Sequence, residues 1–263
     1  MSTRRPAVAG LFYPADPAQL AADVARHLSE AVQPHEPGSP PKAVIAPHAG
    51  YAYSGPVAGS AFSAAAHHRG EVERVVLLGP SHRVPVDGLA VPRDDVFETP
   101  LGGVPLDRPA IEAALALPQV VESDAAHREE HSLEVQLPFL QEVLGPFHLV
   151  PFSVGQARAE EVAEVLDLLW GGPETLVVIS SDLSHYHDYD AARDLDAATT
   201  RAIESLDPGC LGEQSACGRI PVSGLLLTAR RRGLAVRTLD IRSSGDTAGT
   251  RDRVVGYGAW SLA

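Results

Sequence analysis

Cysteine is almost absent from this 263-residue chain: there are two, Cys210 and Cys217. They fit no CxxC pair and cannot make a disulfide framework, so a reducing compartment, read here as the cytoplasm, is expected. Basic charge is also scarce. Lys+Arg number 21 against Asp+Glu 34, a formal charge of −13. A field of that sign, with no basic stripe to counter it, repels phosphate backbones and argues against a nucleic-acid partner. No run reaches the ~18 apolar residues that a membrane-spanning helix needs, and Met1–Gly10 carries two arginines with no apolar segment. Neither a membrane span nor a secretory leader is expected.

What is present is ordinary in bulk and patterned in detail. Hydrophobic residues make up 44% and charged residues 21%, proportions of a globular protein, and no compositional break divides the chain, so one domain over 1–263 is expected. Three stretches share a grammar in which a short apolar run leads to a small residue and then a histidine. Lys42–Pro47 runs into His48, Arg74–Ser81 into His82, and Thr175–Ser184 into His185. Runs rich in Val, Ile and Leu, set between helical patterns, are strands buried on both faces of an α/β sheet, and ligands bind beyond the carboxyl ends of such strands. A fourth run, from Val236, ends in Asp246. One histidine after a strand can simply cap a loop; four strand ends offering His48, His82, His185 and Asp246 to one crevice suggest a metal site. Imidazole and carboxylate together suit Fe(II), Zn, Cu or Mn, and two histidines with one carboxylate leave positions open for oxygen or substrate.

Between these runs, Asp16 as N-cap and Pro17 at the first helical position open an amphipathic helix with Leu20, Val24 and Leu28 on one face. The Pro-rich segment 33–41 reads as a surface loop, 55–66 as a helix of small residues, and 87–99 as a strand and hairpin leading to a helix capped by Asp107. Residues 130–144 have helical period with Pro138 as a kink. Further helices are expected over 159–170, over 190–206 and from Ser223 to a stop at Gly233, with a terminal strand over 254–262. On the helix expected at 130–144, His131 and Glu134 share a face, a pairing that helix surfaces also supply by chance, while Glu129, Glu130 and Glu134 suit its dipole. The loop 49–55 can admit an oxyanion or form a tight turn; 243–246 can be a backbone nest or a capped turn. Cys217, beside Arg219, can be a reactive thiol or a small buried residue.

The segments Arg5–Asp16, Ala46–Phe62, Leu77–His82, Glu129–Gln141, Ser180–Asp196, Cys217–Gly224, Arg242–Asp246 and Val254–Leu262 together resemble the MEMO family, also called AmmeMemoRadiSam system protein B, and they span nearly the whole chain. The resemblance implies a three-layer α/β/α fold with a central mostly parallel or mixed sheet, LigB-like, shared with class III extradiol dioxygenases. It places metal ligands at His48 and His82, with Asp246 third where animal relatives carry cysteine; a carboxylate there favours Fe(II) over copper. It also puts His185 at an acid–base position and His131, Glu134 and Asp182 around the same cavity. The function so implied is a non-haem iron-dependent redox enzyme, dioxygenase-like, acting on an unknown small-molecule substrate. The alternatives are a non-enzymatic metal- or peptide-binding module and a zinc metallohydrolase with Glu134 or His185 as base. The family's compound name further implies a pathway shared with AMMECR-type and radical SAM proteins.

Overall fold

The four apolar runs that lead to His48, His82, His185 and Asp246 all form strands of one sheet. A computed structural model describes residues 2–32 and 40–263; the loop expected over 33–41 lies, for 33–39, outside the described residues. The order is β1 (Thr3–Arg4), α1 (Pro17–Ser29), β2 (Ala43–Ala46), α2 (Tyr51–Ala65), β3 (Arg74–Pro80), β4 (Leu89–Val91), β5 (Val96–Thr99), β6 (Gly102–Pro105), α3 (Arg108–Ala114), β7 (Val120–Glu122), α4 (Asp124–Arg128), α5 (Leu137–Leu144), β8 (His148–Val154), α6 (Ala159–Leu169), β9 (Thr175–Ser180), β10 (His185–His187), α7 (Tyr189–Glu204), α8 (Arg219–Arg232), β11 (Val236–Ser243) and β12 (Val254–Leu262).

Among the described residues the main sheet has nine strands, in the order β10-β12-β2-β9-β3-β8-β4-β7, with β11 also on β12. Its centre, β2-β9-β3-β8, is parallel, whereas β12 runs antiparallel to its neighbours and β4 antiparallel to β8 but parallel to β7, so the sheet is mixed. Every residue of β2 and β9 is buried, as continuous apolar runs covered on both faces must be. Helices α1, α2 and α5 pack together, and α3, α6 and α8 form a second group, giving the expected three-layer α/β/α arrangement. No described helix is long and apolar enough to cross a membrane.

Local chemistry explains most boundaries. Asp16 accepts from Gln19 N at the start of α1, Asp107 from Ala110 N at the start of α3, and Gly233 ends α8 in the left-handed conformation, φ 69°. One expectation is corrected and one strand is added. Residues 130–144 are not one kinked helix: Glu130–Leu133 is irregular, Glu134–Gln136 forms a 3-10 turn, and α5 starts at Leu137 with Pro138 in its first turn, where its missing N–H costs nothing. Strand β8, unassigned in the sequence, carries Pro151; β4 pairs only with Ser153 and Val154, so beside the proline β8 behaves as an edge.

Register then sets the position of the functional residues. Ala46 of β2 stands beside Ser180 of β9, and Ile179 of β9 beside Leu78 of β3. The three strands therefore end nearly level, and the loops that follow them meet above one edge of the sheet.

Candidate metal centre

Three histidines converge at this edge. His48 follows β2 after Pro47, His82 lies two residues beyond β3, and His131 comes from the irregular segment before α5. One ligand atom of each lies within 4.8 Å of the others, the one cluster of this kind among the described residues. The His48 and His82 rings are 5.2 Å apart edge-on, and His82 and His131 are 4.7 Å apart and nearly stacked. His131 reaches the centre because its segment lies directly over the end of β3. At Gly79 a Cβ would come 2.8 Å from Ser132 Oγ, so the close approach depends on glycine.

The surroundings fix which nitrogen each ring presents. Ser180 Oγ donates to Ser132 O at 2.6 Å and accepts from Gln136 Nε2 at 2.7 Å. With the hydroxyl proton committed, His48 Nδ1, 2.8 Å away, is the donor and its Nε2 keeps the lone pair. The His48 backbone N–H is held in turn by Asp182 Oδ1 at 2.7 Å. His82 Nδ1 donates to Glu130 Oε1 at 2.9 Å, leaving its Nε2 free in the same way. Glu130 also accepts from the backbone N–H groups of His82, His131 and Ser132 at 2.6 to 3.0 Å. A carboxylate behind a metal-facing imidazole orients the ring and raises its basicity.

Electrostatics favour neutral rings. Burial, then the neighbouring His82, lowers His48 to about 3, and burial, then His48, lowers His131 to about 4. Burial opposes ionisation of Glu130, but the hydrogen bonds and charge of His82 and the backbone N–H groups outweigh it and hold the carboxyl at about 2. Metal ligation requires neutral imidazole. His131 Nδ1 is also buried without a hydrogen-bond partner, and a bound ion would satisfy this histidine cluster. The residues present fit a divalent metal.

The other expected site residues separate into near and remote groups. Asp182 is buried beside the cluster, its carboxyl raised by burial, and acts on His48 through the backbone. His185 opens β10 rather than ending β9; its Nδ1–H donates to Leu183 O at 2.8 Å, and it lines a cavity of about 340 Å³ shared with Cys217. Two of the expected residues lie outside the cluster. Asp246 is not in the cluster: Oδ2 accepts from Ser243 N and Oγ at 2.9 and 3.0 Å, and Oδ1 accepts from Tyr189 OH at 2.6 Å, so its carboxylate closes a turn after β11. Glu134 is fully buried and faces the N-terminal segment, where it pairs with Arg4 and accepts from Ala7 N, Val8 N and Tyr13 OH at 2.5 to 3.0 Å. His131 and Glu134 do not share a helix face because no α-helix forms there. Glu130, assigned in the sequence to a helix dipole, is instead the group that organises the cluster; its adjacency to His131 was the available signal.

The comparisons agree with this architecture. The Memo-like protein family matches residues 4–261. A MEMO1 family protein of Ignicoccus hospitalis is 39% identical, covering 98% of each chain, and one of Thermotoga maritima is 37% identical, covering 97% of each. A crystal structure of the uncharacterized protein JW3007 from Escherichia coli K12 has the same fold, with TM-score 0.54 at 13% identity, covering 82% of this chain and 98% of that one. A family match along almost all of the sequence, with relatives above 30% identity over the same span, shows that the chain belongs to the Memo-like family.

Proposed function

We propose that the chain is a metal-dependent oxidoreductase of the dioxygenase-like kind, holding iron(II) at His48, His82 and His131 and acting on a small molecule in the adjoining cavity. The observation that supports the metal reading is the convergence of three neutral imidazoles, from three separate segments, within 4.8 Å. Imidazole donors suit iron, copper and zinc, and a redox-active ion there would supply Lewis acidity and electron transfer toward dioxygen. The chain's own groups do the rest. Glu130 and Ser180 fix the tautomers of His82 and His48. His185, with its Nδ1 proton bound to Leu183 O, has Nε2 available to take a proton from a molecule in the 340 Å³ cavity. His82, 29% exposed in its side chain, leaves the cluster open to solvent on one side.

A zinc hydrolase is the second reading, favoured by one feature: all three donors are histidine, a set that holds an activated water in zinc enzymes. Elemental analysis of anaerobically purified protein, with dioxygen-uptake measurements, separates the two. About one iron per chain, lost in His48→Ala, His82→Ala and His131→Ala with the fold retained, supports the first reading. Zinc without dioxygen consumption favours the second. Retention of metal in all three variants overturns the ligand assignment. His185→Gln is expected to keep the metal and abolish dioxygen uptake; metal loss on the scale of His82→Ala would make His185 a ligand.

A further inference from the structure

Asp196 is a buried carboxyl that the chemistry above leaves unused. It lies on α7, is 3% exposed, and its Oδ1 accepts from the backbone N–H of Ser184 at 3.0 Å. Ser184 is itself fully buried and immediately precedes His185, so this N–H needs a partner inside the protein. Strand β12 satisfies the groups around it: Leu183 N donates to Gly256 O, and Gly256 N donates to Ser184 O. The Ser184 N–H falls instead to a side chain.

The turn that this bond holds is strained. From His185 to His187 β10 advances two residues while β12 goes only from Val255 to Val254, so Tyr186 is the extra residue of a bulge. Its φ is 63°, in the left-handed region that a bulky side chain seldom enters. Tyr186 is 64% exposed, with the Arg253 guanidinium 5.3 Å from its ring centre, so little packing of its own offsets the strain. Such a conformation persists where its surroundings over-determine it. Here they do so through two bonds, His185 Nδ1 to Leu183 O and Ser184 N to Asp196. The approach of Asp196 is built, since a Cβ at residue 256 would collide with its carboxylate. Burial raises this carboxyl, while the Ser184 N–H and the charges of His185 and His187 work against the rise, so it lies in the field of both rings.

We propose that Asp196 is the positioning residue of His185: its bond to Ser184 N clamps the bulged turn in its left-handed form, and that form aims His185 Nε2 into the 340 Å³ cavity, with His187 beside it. This inference rests on the acid–base role given to His185 above and adds what holds it in place. A base fixed in advance loses nothing to reorientation when a molecule arrives, and a misplacement of about 1 Å can cost about 100-fold in rate. Without the clamp, Tyr186 relaxes out of the left-handed region, the start of β10 shifts, and the hydrogen bond from His185 Nδ1 to Leu183 O is lost.

The test reads the tautomer of His185 in the metal-free full-length chain carrying isotope-labelled histidine, by proton–nitrogen correlation spectra at a pH where imidazole is neutral, with His185→Gln to assign the signal. The expected result is a single Nδ1–H form in the wild type and a mixture of tautomers in Asp196→Ala. The single form should return in Asp196→Ala/Tyr186→Gly, because glycine enters the left-handed region without strain. Asp196→Asn, which keeps an acceptor oxygen, should retain it. An unchanged form in Asp196→Ala, a mixture that Tyr186→Gly does not reverse, or loss of the form in Asp196→Asn overturns the clamp. Tyr186→Gly alone should raise the denaturation midpoint by releasing strain; a lowered midpoint overturns the clamp even if Asp196→Ala does not fold. In iron-loaded protein, dioxygen uptake should fall about 10- to 100-fold in Asp196→Ala with the iron retained. Absence of uptake in the wild type overturns the redox reading, while the spectra still decide the clamp.

Discussion

Among the described residues Glu130 is one of the few carboxylates that are almost fully buried, and the hydrogen bonds of its two carboxylate oxygens run to the histidine cluster or its loop. Replacing it with glutamine keeps the volume but removes the charge that orients His82. Loss of such a supporting carboxylate typically weakens metal affinity 10- to 100-fold. Glu130→Gln is therefore expected to bind cobalt or iron about 10- to 100-fold more weakly in chelator competition, and unchanged affinity would show that the carboxylate is only a loop tie. Asp246 behaves oppositely. Because both of its oxygens are engaged in the turn after β11, Asp246→Ala should cost about 1 kcal/mol of stability through the lost cap and leave metal content at the wild-type level. Metal loss in that variant, read by elemental analysis, would restore the residue to the ligand set.

The segment between α4 and α5 carries two of the site's groups on a path held from outside. Arg4 donates to His127 O at 3.0 Å and Glu130 O at 2.7 Å and pairs with Glu134, so a single guanidinium on β1 pins both ends of that path. Such a pair contributes little over a well-packed apolar pair, but breaking one side leaves a buried charge, at a cost of about 3–5 kcal/mol. Glu134→Gln and Arg4→Met are each expected to destabilise by that amount in denaturant titration. The double variant should be less destabilised than the sum of the two. Full additivity would mean that the ion pair does not hold this segment. A catalytic role for Glu134 predicts instead a stable protein without activity.

At the scale of the molecule, burial holds several of the described histidines neutral: His48 is lowered to about 3, His127 and His131 to about 4, and His27 is lowered as well, burial being the largest cause in each. A lowered folded value means that the unfolded chain takes up protons first as pH falls. Above pH ~6.5 neither state is protonated at these residues and they contribute nothing to pH dependence. Between ~6.5 and 4 the unfolded state gains protons that the folded state does not, so stability is lost at up to roughly 3–4 kcal/mol per pH unit near pH 5. Glu130, held at about 2, adds stability above its unfolded value of about 4.5, and this is lost only as pH drops further. Denaturant titrations of the metal-free protein from pH 7.5 to 5 should show that fall. A flat profile would mean that these rings are solvated and titrate alike in the folded and unfolded chain.

The sheet was legible in the sequence because its strands are buried on both faces and so appear as unbroken apolar runs at 43–46, 74–80 and 175–180. The helices at 17–29 and 159–169, and the last helix from Ser223 though not its first turn at Arg219, were legible because an apolar stripe must repeat every turn and their ends carry Asp, Pro or Gly for stated local reasons. His48 and His82 followed from strand ends alone, since a carboxyl end of a parallel strand is where side chains can meet without filling the core. The third histidine did not follow. His131 and Glu134 fit a helical period, yet the period does not record that Arg4, far away in sequence, draws Glu134 to one side while the close packing over Gly79 turns His131 to the other. Asp246 looked like a ligand because it ends a strand, and only the tertiary structure shows its oxygens taken by Tyr189 and Ser243. Periodicity and end signals are local, so the sequence by itself determined the elements and the edge at which the site lies. Which side chains share a point in space depends on how separate segments pack, and that the tertiary structure alone decided.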